Sequence, residues 1–152
     1  MPDEIDRILI NALTEDSRRT LKDLARISGL SSPSVAERLR RLETRGLLTG
    51  YTVTIDPKAF GYQLQAIVRI KPMPGRLPAV ERLIQATPQF TECDKVTGED
   101  CFVARLAVRS MEQLDAILDT LIDQAETNTS IVKSTPVKRR LPPLTSPDSD
   151  AA

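Results

Sequence analysis

From residue 62 onward the apolar residues change period in a fixed order, and that order leaves few folds open. Ala66, Val68 and Ile70 alternate with other residues as a strand with one buried face does, and Pro72, Pro74 and Gly75 stop it. Pro78 then starts a helix that buries Val80, Leu83 and Ile84. Residues 91–97 read as a weak strand, Gly98-Glu99-Asp100 as a turn, and Phe102, Ala104, Leu106 and Val108 as a strong strand. Ser110 and Gln113 make a capping box for a helix whose Leu114, Ile117, Leu118, Leu121 and Ile122 form one apolar stripe. A last strand is expected over roughly residues 130–139. The order β-α-β-β-α-β is the ferredoxin-like, split βαβ arrangement, an antiparallel sheet with both helices on one face. The opposite face also carries apolar residues, Ile67 among them, and a second copy of the same sheet is the economical cover for it.

Upstream the period is helical. Ile5, Ile8, Leu9, Ala12 and Leu13 define one amphipathic helix. Thr20 caps a second, with Leu21, Leu24 and Ala25 facing inward, and Gly29 ends it by accepting a left-handed backbone. A third opens at Ser31 or Ser32, with Pro33 at its first position, and runs to Gly46. From Leu47 the period changes again, and Tyr51, Val53 and Ile55 read as a short strand closed by Asp56-Pro57. The expected class is therefore α+β: a helix-turn-helix domain over residues 1–48, a connector strand or linker over 49–61, a ferredoxin-like domain over 62–140, and a disordered Pro/Ser/Asp-rich tail over 141–152.

Composition removes several kinds of chemistry. The chain has no histidine, so the usual neutral-pH general base and the commonest metal ligand are missing, and neither a catalytic nor a metal site is expected. Cys93 and Cys101 lack CxxC spacing and read as free thiols in a reducing cytosol. The acidic start, MPDEID, is followed by no long apolar run, so a soluble cytoplasmic protein without membrane contact is expected. A net charge of zero conceals an asymmetry: residues 18–45 carry a net +5 and residues 73–130 a net −5.

The basic slice contains the third helix, GLSSPSVAERLRRLE. On a helical wheel Val35, Leu39 and Leu42 form the buried stripe, while Ser34, Arg38, Arg41 and Arg45 share an adjacent arc without an acid. Crowded like charges destabilise an exposed helix, so a negative partner is expected. Phosphate fits, and the arginine fork also suits guanine edges in the major groove. Ser32 and Ser34, near the helix N-terminus, have hydroxyls suited to phosphate or base contacts. Two helices joined by a short glycine-containing turn, with small Ala25 where they approach, follow the helix-turn-helix plan. The expected partner is double-stranded DNA, contacted by Lys22, Ser32, Ser34, Arg38, Arg41 and Arg45.

At this level of detail residues 3–140 resemble the Lrp/AsnC, or feast/famine, family of bacterial and archaeal transcription regulators. The likeness rests on IDRILINALTEDSRRTLKDLARISGLSSPSVAERLRRLETRGLLTGYTVTIDPKAFGY and, in the second half, on VTGEDCFVARLAV, which is similar to the family's RAM domain. The resemblance implies a homodimer built by sheet-to-sheet contact, often assembled further into an octameric ring of four dimers. It also implies an amino-acid effector bound between RAM domains near the loop that holds Gly98. Gly98, Glu99, Asp100 and Ser130 are the expected effector contacts, the acids holding an ammonium group. Two positions depart from the pattern: Cys101 stands where an aspartate is common, and Lys133 where an apolar residue is common. The expectation is a non-enzymatic DNA-binding regulator responsive to an amino acid or similar metabolite, the competing one an architectural DNA-binding protein without an effector.

Overall fold

A computed structural model describes residues 1–144 of the chain, and residues 145–152, most of the expected tail, lie outside the described residues. It resolves into two compact units: Met1–Thr54 together with the chain from Arg139, and Ile55–Lys138. No helix among the described residues is long and apolar enough to cross a membrane.

The first unit contains α1 (Glu4–Glu15), α2 (Leu21–Ser28) and α3 (Ser32–Thr44). Each starts where a side chain satisfies the orphan N–H groups of its first turn. Asp3 and Asp6 form a reciprocal capping box on α1, Thr20 and Asp23 another on α2, and Ser31 accepts from the Ser34 N–H at the start of α3. Pro33 therefore sits at the second helical position, one later than expected. Gly29 ends α2 at φ +71°, the left-handed conformation its place required. Leu9, Ala12, Leu13, Leu24 and Val35 are buried together, with Ile5, Ala25, Leu30 and Leu39 packed around them.

The second unit is built on one four-stranded sheet of β1 (Leu64–Pro72), β2 (Phe90–Lys95), β3 (Phe102–Val108) and β4 (Ala125–Ile131), in the order β2-β3-β1-β4 with every neighbouring pair antiparallel. Two helices, α4 (Leu77–Ala86) and α5 (Met111–Asp119), complete the ferredoxin-like arrangement. The period-two residues Ala66, Val68, Ile70, Phe102, Ala104, Leu106 and Val108 all point to the helix side, where Val80, Ile84, Leu114, Ile117 and Leu121 meet them. Each large member contributes about 1.5–3 kcal/mol by leaving water. The other face presents Ile67, Arg69, Val103 and Arg105, with Ser130 opposite Ile67 and Asn128 opposite Arg69.

Three elements differ from expectation. Tyr51, Val53 and Ile55 form no strand and are 55%, 83% and 61% exposed, since within the chain their backbone finds no strand to pair with; residues 57–60 form one turn of 3-10 helix. The last strand begins five residues earlier than expected and ends at Ile131, because it is held by its backbone and its side chains after Ala125 are exposed, which leaves no alternation to read. Helix α5 ends at Asp119, so Leu121 turns into the core while Ile122, expected to be buried, is 64% exposed. The Ser110 cap is as expected, yet the Gln113 side chain accepts from the N–H of Arg109 rather than from Ser110.

Arg109 also fixes the start of this unit. Its guanidinium lies 4.7 Å from the centre of the Tyr62 ring, and the preceding Gly61, at φ +86°, leaves room for it: a Cβ there would meet Arg109 Nη1 at 2.5 Å. Gly61→Ala is therefore expected to destabilise the protein by about 1–2 kcal/mol, from the left-handed backbone alone, read as a lower urea midpoint at unchanged m-value.

Candidate nucleic-acid interface and effector loop

Helix α3 emerges from its serine cap with Val35 and Leu42 buried and Leu39 packed against the core, which turns the remaining faces outward. Ser34, Arg41 and Arg45 are exposed, as is Lys22 near the start of α2; Ser32 is half-buried. The Ser34 hydroxyl lies 2.8 Å from that of Ser31. Arg45 forms the C-terminal cap of α3. Arg40 is neutralised one turn away by Glu37 at 2.8 Å. Among the described residues the side chains of Lys22, Arg41 and Arg45 make no ion pair.

Arg38 belongs to a different environment. Its side chain is only 21% exposed, and Nη1 donates to Asp3 Oδ2 at 2.7 Å and to Asp6 Oδ1 at 2.8 Å. The other oxygen of each carboxylate closes the α1 capping box, Asp3 Oδ1 accepting from the Asp6 N–H and Asp6 Oδ2 from the Asp3 N–H. The arc that is free of acids on the α3 wheel is thus not free of them in space, because α1 supplies two. The charge of residues 18–45 alone does not report this pair, because both acids lie upstream of it. Residues 1–17 hold five acids and one arginine, so residues 1–48 as a whole carry only a net +1. The acidic MPDEID start was the available signal.

The Arg38 guanidinium bonded to it, helped by the Asp6 N–H, holds the Asp3 carboxyl below its ordinary value of 3.8. A second tether joins the far end of α3 to the chain beyond it: the Tyr51 hydroxyl donates to Glu43 Oε1 at 2.8 Å. Partial burial, reinforced by that carboxylate, pushes the Tyr51 phenol up to about 12.

The four expected effector contacts lie at two places in the second unit. Gly98, at φ +116°, with Glu99 and Asp100, forms the turn between β2 and β3, while Ser130 lies on β4. Asp100 Oδ2 reaches Arg69 Nε at 3.6 Å, and Arg69 lies on β1 two residues from Ile67, the residue opposite Ser130. The turn's carboxylate and Ser130 are thus related through the uncovered face of the sheet. Glu99 is exposed and points to no cationic partner among the described residues. Cys101 takes φ +60°, with the Phe102 N–H donating to the Asp100 carbonyl across it at 2.7 Å. That conformation disfavours a residue with a Cβ by roughly 1–2 kcal/mol and suits aspartate or asparagine better than cysteine. A separate shallow groove of about 740 Å³, lined by Met73, Asp115, Leu118, Asp119, Ile122 and Glu126 among others, contains none of the four.

Residues 3–43 match the AsnC-type helix-turn-helix domain and residues 65–142 the Lrp/AsnC ligand binding domain. The chain belongs to the Lrp/AsnC family. It is 37% identical over 128 residues to the HTH-type transcriptional regulator LrpA of Mycobacterium tuberculosis, covering 84% of this chain and 85% of that protein. Its structure is similar to that of Bacillus subtilis LrpC, with a TM-score of 0.86 at 29% identity over 91% of this chain and 99% of LrpC. It is also similar to a feast or famine regulatory protein of M. tuberculosis complexed with L-methionine, with a TM-score of 0.80 at 36% identity over 91% of this chain and 97% of that one. As its sequence implies, this member of the Lrp/AsnC family is a helix-turn-helix transcriptional regulator with a ferredoxin-like ligand-binding half.

Arg38→Ala is expected to act on folding. It leaves the Asp6 carboxylate, 9% exposed, without its cation, which costs about 1–3 kcal/mol. Since the Asp3 value is depressed on folding, its contribution is present above pH 3.8 and is lost as the pH falls through the folded value. Acid titration followed by circular dichroism should show that loss in the wild type and a weaker one in Arg38→Ala; equal acid sensitivity of the two proteins contradicts the assignment.

Proposed function

We propose that the protein binds double-stranded DNA through α3, with Arg41 and Arg45 as the main side-chain contacts and Ser32, Ser34 and Lys22 adding phosphate contacts, and that an amino acid modulates this binding. The observation that carries the reading is the pair of exposed arginines on a capped helix whose other long cations, Arg38 and Arg40, are neutralised within the unit. Unpaired guanidinium groups on one helix favour a partner dense in phosphate. Arg38 serves this reading indirectly, by holding α3 against α1, and is no base contact. Residues 1–48 act as the DNA-binding part, 49–61 as the connector and 62–140 as the sensing and assembly part.

Two copies pair by covering the sheet face that carries Ile67 and Val103, and dimers associate further, up to a ring of four. Dimerisation presents two recognition helices to half-sites on one face of the duplex. The effector is an amino acid, in keeping with the L-methionine complex of the similar M. tuberculosis protein; its ammonium group pairs with the acids of the Gly98–Asp100 turn and Ser130 adds a hydroxyl. The effector changes DNA binding to the extent that it favours one assembly over another. The reducing interior of a cell suits a chain whose two cysteines are both free thiols.

Gel-shift assays on the DNA upstream of the protein's own gene, with and without a panel of amino acids, test the proposal. Arg41→Ala is expected to weaken binding by about 1–3 kcal/mol where it reads a base, at unchanged thermal stability, whereas Arg38→Ala lowers stability first. Failure of the wild type to bind any duplex at low salt refutes the DNA reading. A thermal shift with no amino acid in the panel would turn the assignment toward an architectural role.

A further inference from the structure

The chain just beyond β4 carries a concentrated run of positive charge. Residues 127–147 contain Lys133, Lys138, Arg139 and Arg140 and no acid, although residues 73–130 carry a net −5. Residues 133–143 are all exposed and form no helix or strand. Pro136, Pro142 and Pro143 flank the three consecutive cations and restrict the backbone on both sides of them, which lowers the entropy lost when the segment is ordered on a partner. The run falls at the division between the two compact units, Lys138 closing the sheet unit and Arg139 and Arg140 belonging to the helical one.

That unit is short of free positive charge. Of the nine cations in residues 1–54, Arg7, Arg19, Arg26, Arg38 and Arg40 are engaged in ion pairs, and only Arg18, Lys22, Arg41 and Arg45 lack one among the described residues. A duplex presents a phosphate charge about every 1.7 Å, and non-specific affinity grows with each phosphate neutralised. Lys138 and Arg140, exposed in a run without acids, are stabilised by that kind of partner.

We infer that the segment containing Lys138 and Arg140 is a second DNA-binding element, an arm that contacts backbone phosphates of the duplex. The inference rests on the DNA-binding reading above and goes beyond it, since neither the helix-turn-helix nor the effector loop includes these residues. An arm of this kind adds affinity without adding sequence discrimination, because phosphates are the same at every base pair.

The test uses the full chain and fluorescence anisotropy over a salt titration, on the upstream duplex and on an unrelated duplex of equal length. K138A/R140A is expected to reduce the magnitude of the slope of log Kobs against log[salt] by about 1.8, roughly 0.9 per lost phosphate contact, on both duplexes, and to leave the ratio of their affinities unchanged. The charge-preserving K138R/R140K is expected to keep the wild-type slope, and both variants the wild-type unfolding temperature, since both residues are exposed. An unchanged slope in K138A/R140A overturns the arm while leaving α3 binding intact. An equal loss in K138R/R140K, early unfolding, or an effect confined to one duplex also overturns it. A wild type that binds neither duplex removes the DNA reading and the arm together.

Discussion

The helical unit is organised by two carboxylates that each serve two purposes. Asp3 and Asp6 use one oxygen apiece to close the first turn of α1 and the other to hold Arg38 of α3. Two acids this close repel, and the positive end of α1 together with the guanidinium removes that cost. The same three residues therefore start one helix and fix the position of another 32 to 35 residues away in sequence. Every exposed side chain of α3 takes its direction from that anchor and from the burial of Val35 and Leu42. A guanidinium suits the junction because it stays charged and donates to both acids from one nitrogen.

Much of the architecture could be read from local patterns. Helix starts were visible because capping uses residues three apart, as at Thr20 and Asp23, and helix ends because a left-handed residue is needed, as at Gly29. The strands β1 and β3 were visible because one face is buried and the other is not, which imposes a period of two. Strand β4 was misplaced for the complementary reason. Only its first residue is buried, so its existence depends on hydrogen bonds to β1 that no side chain reports. Tyr51, Val53 and Ile55 erred in the opposite direction, with the right period and no neighbour to pair with. Ile122 was assigned by continuing a stripe past the point where the helix stops.

The candidate site divides along the same line. Arg41 and Arg45 were identifiable from the wheel because exposure on a helix is a local property. The fate of Arg38 was not, because its partners come from another helix, and a charge count begun at residue 18 left them out. In the second unit the turn at Gly98 was identifiable from its residues, whereas the link from Asp100 to Arg69 depends on which strand lies beside the turn. Cys101 keeps a left-handed backbone at φ +60° without the aspartate or asparagine side chain that tolerates it best.

The place of β4 in the sheet is secured by main-chain pairing with β1, and the side chains of Glu126, Asn128 and Ser130 are left on the surface with no part in the core. Such a strand separates folding from recognition: the scaffold tolerates replacement there, while whatever docks on that surface encounters a different set of groups. Closely related proteins with this fold can thus diverge in what they respond to through a handful of surface changes, without rebuilding the interior.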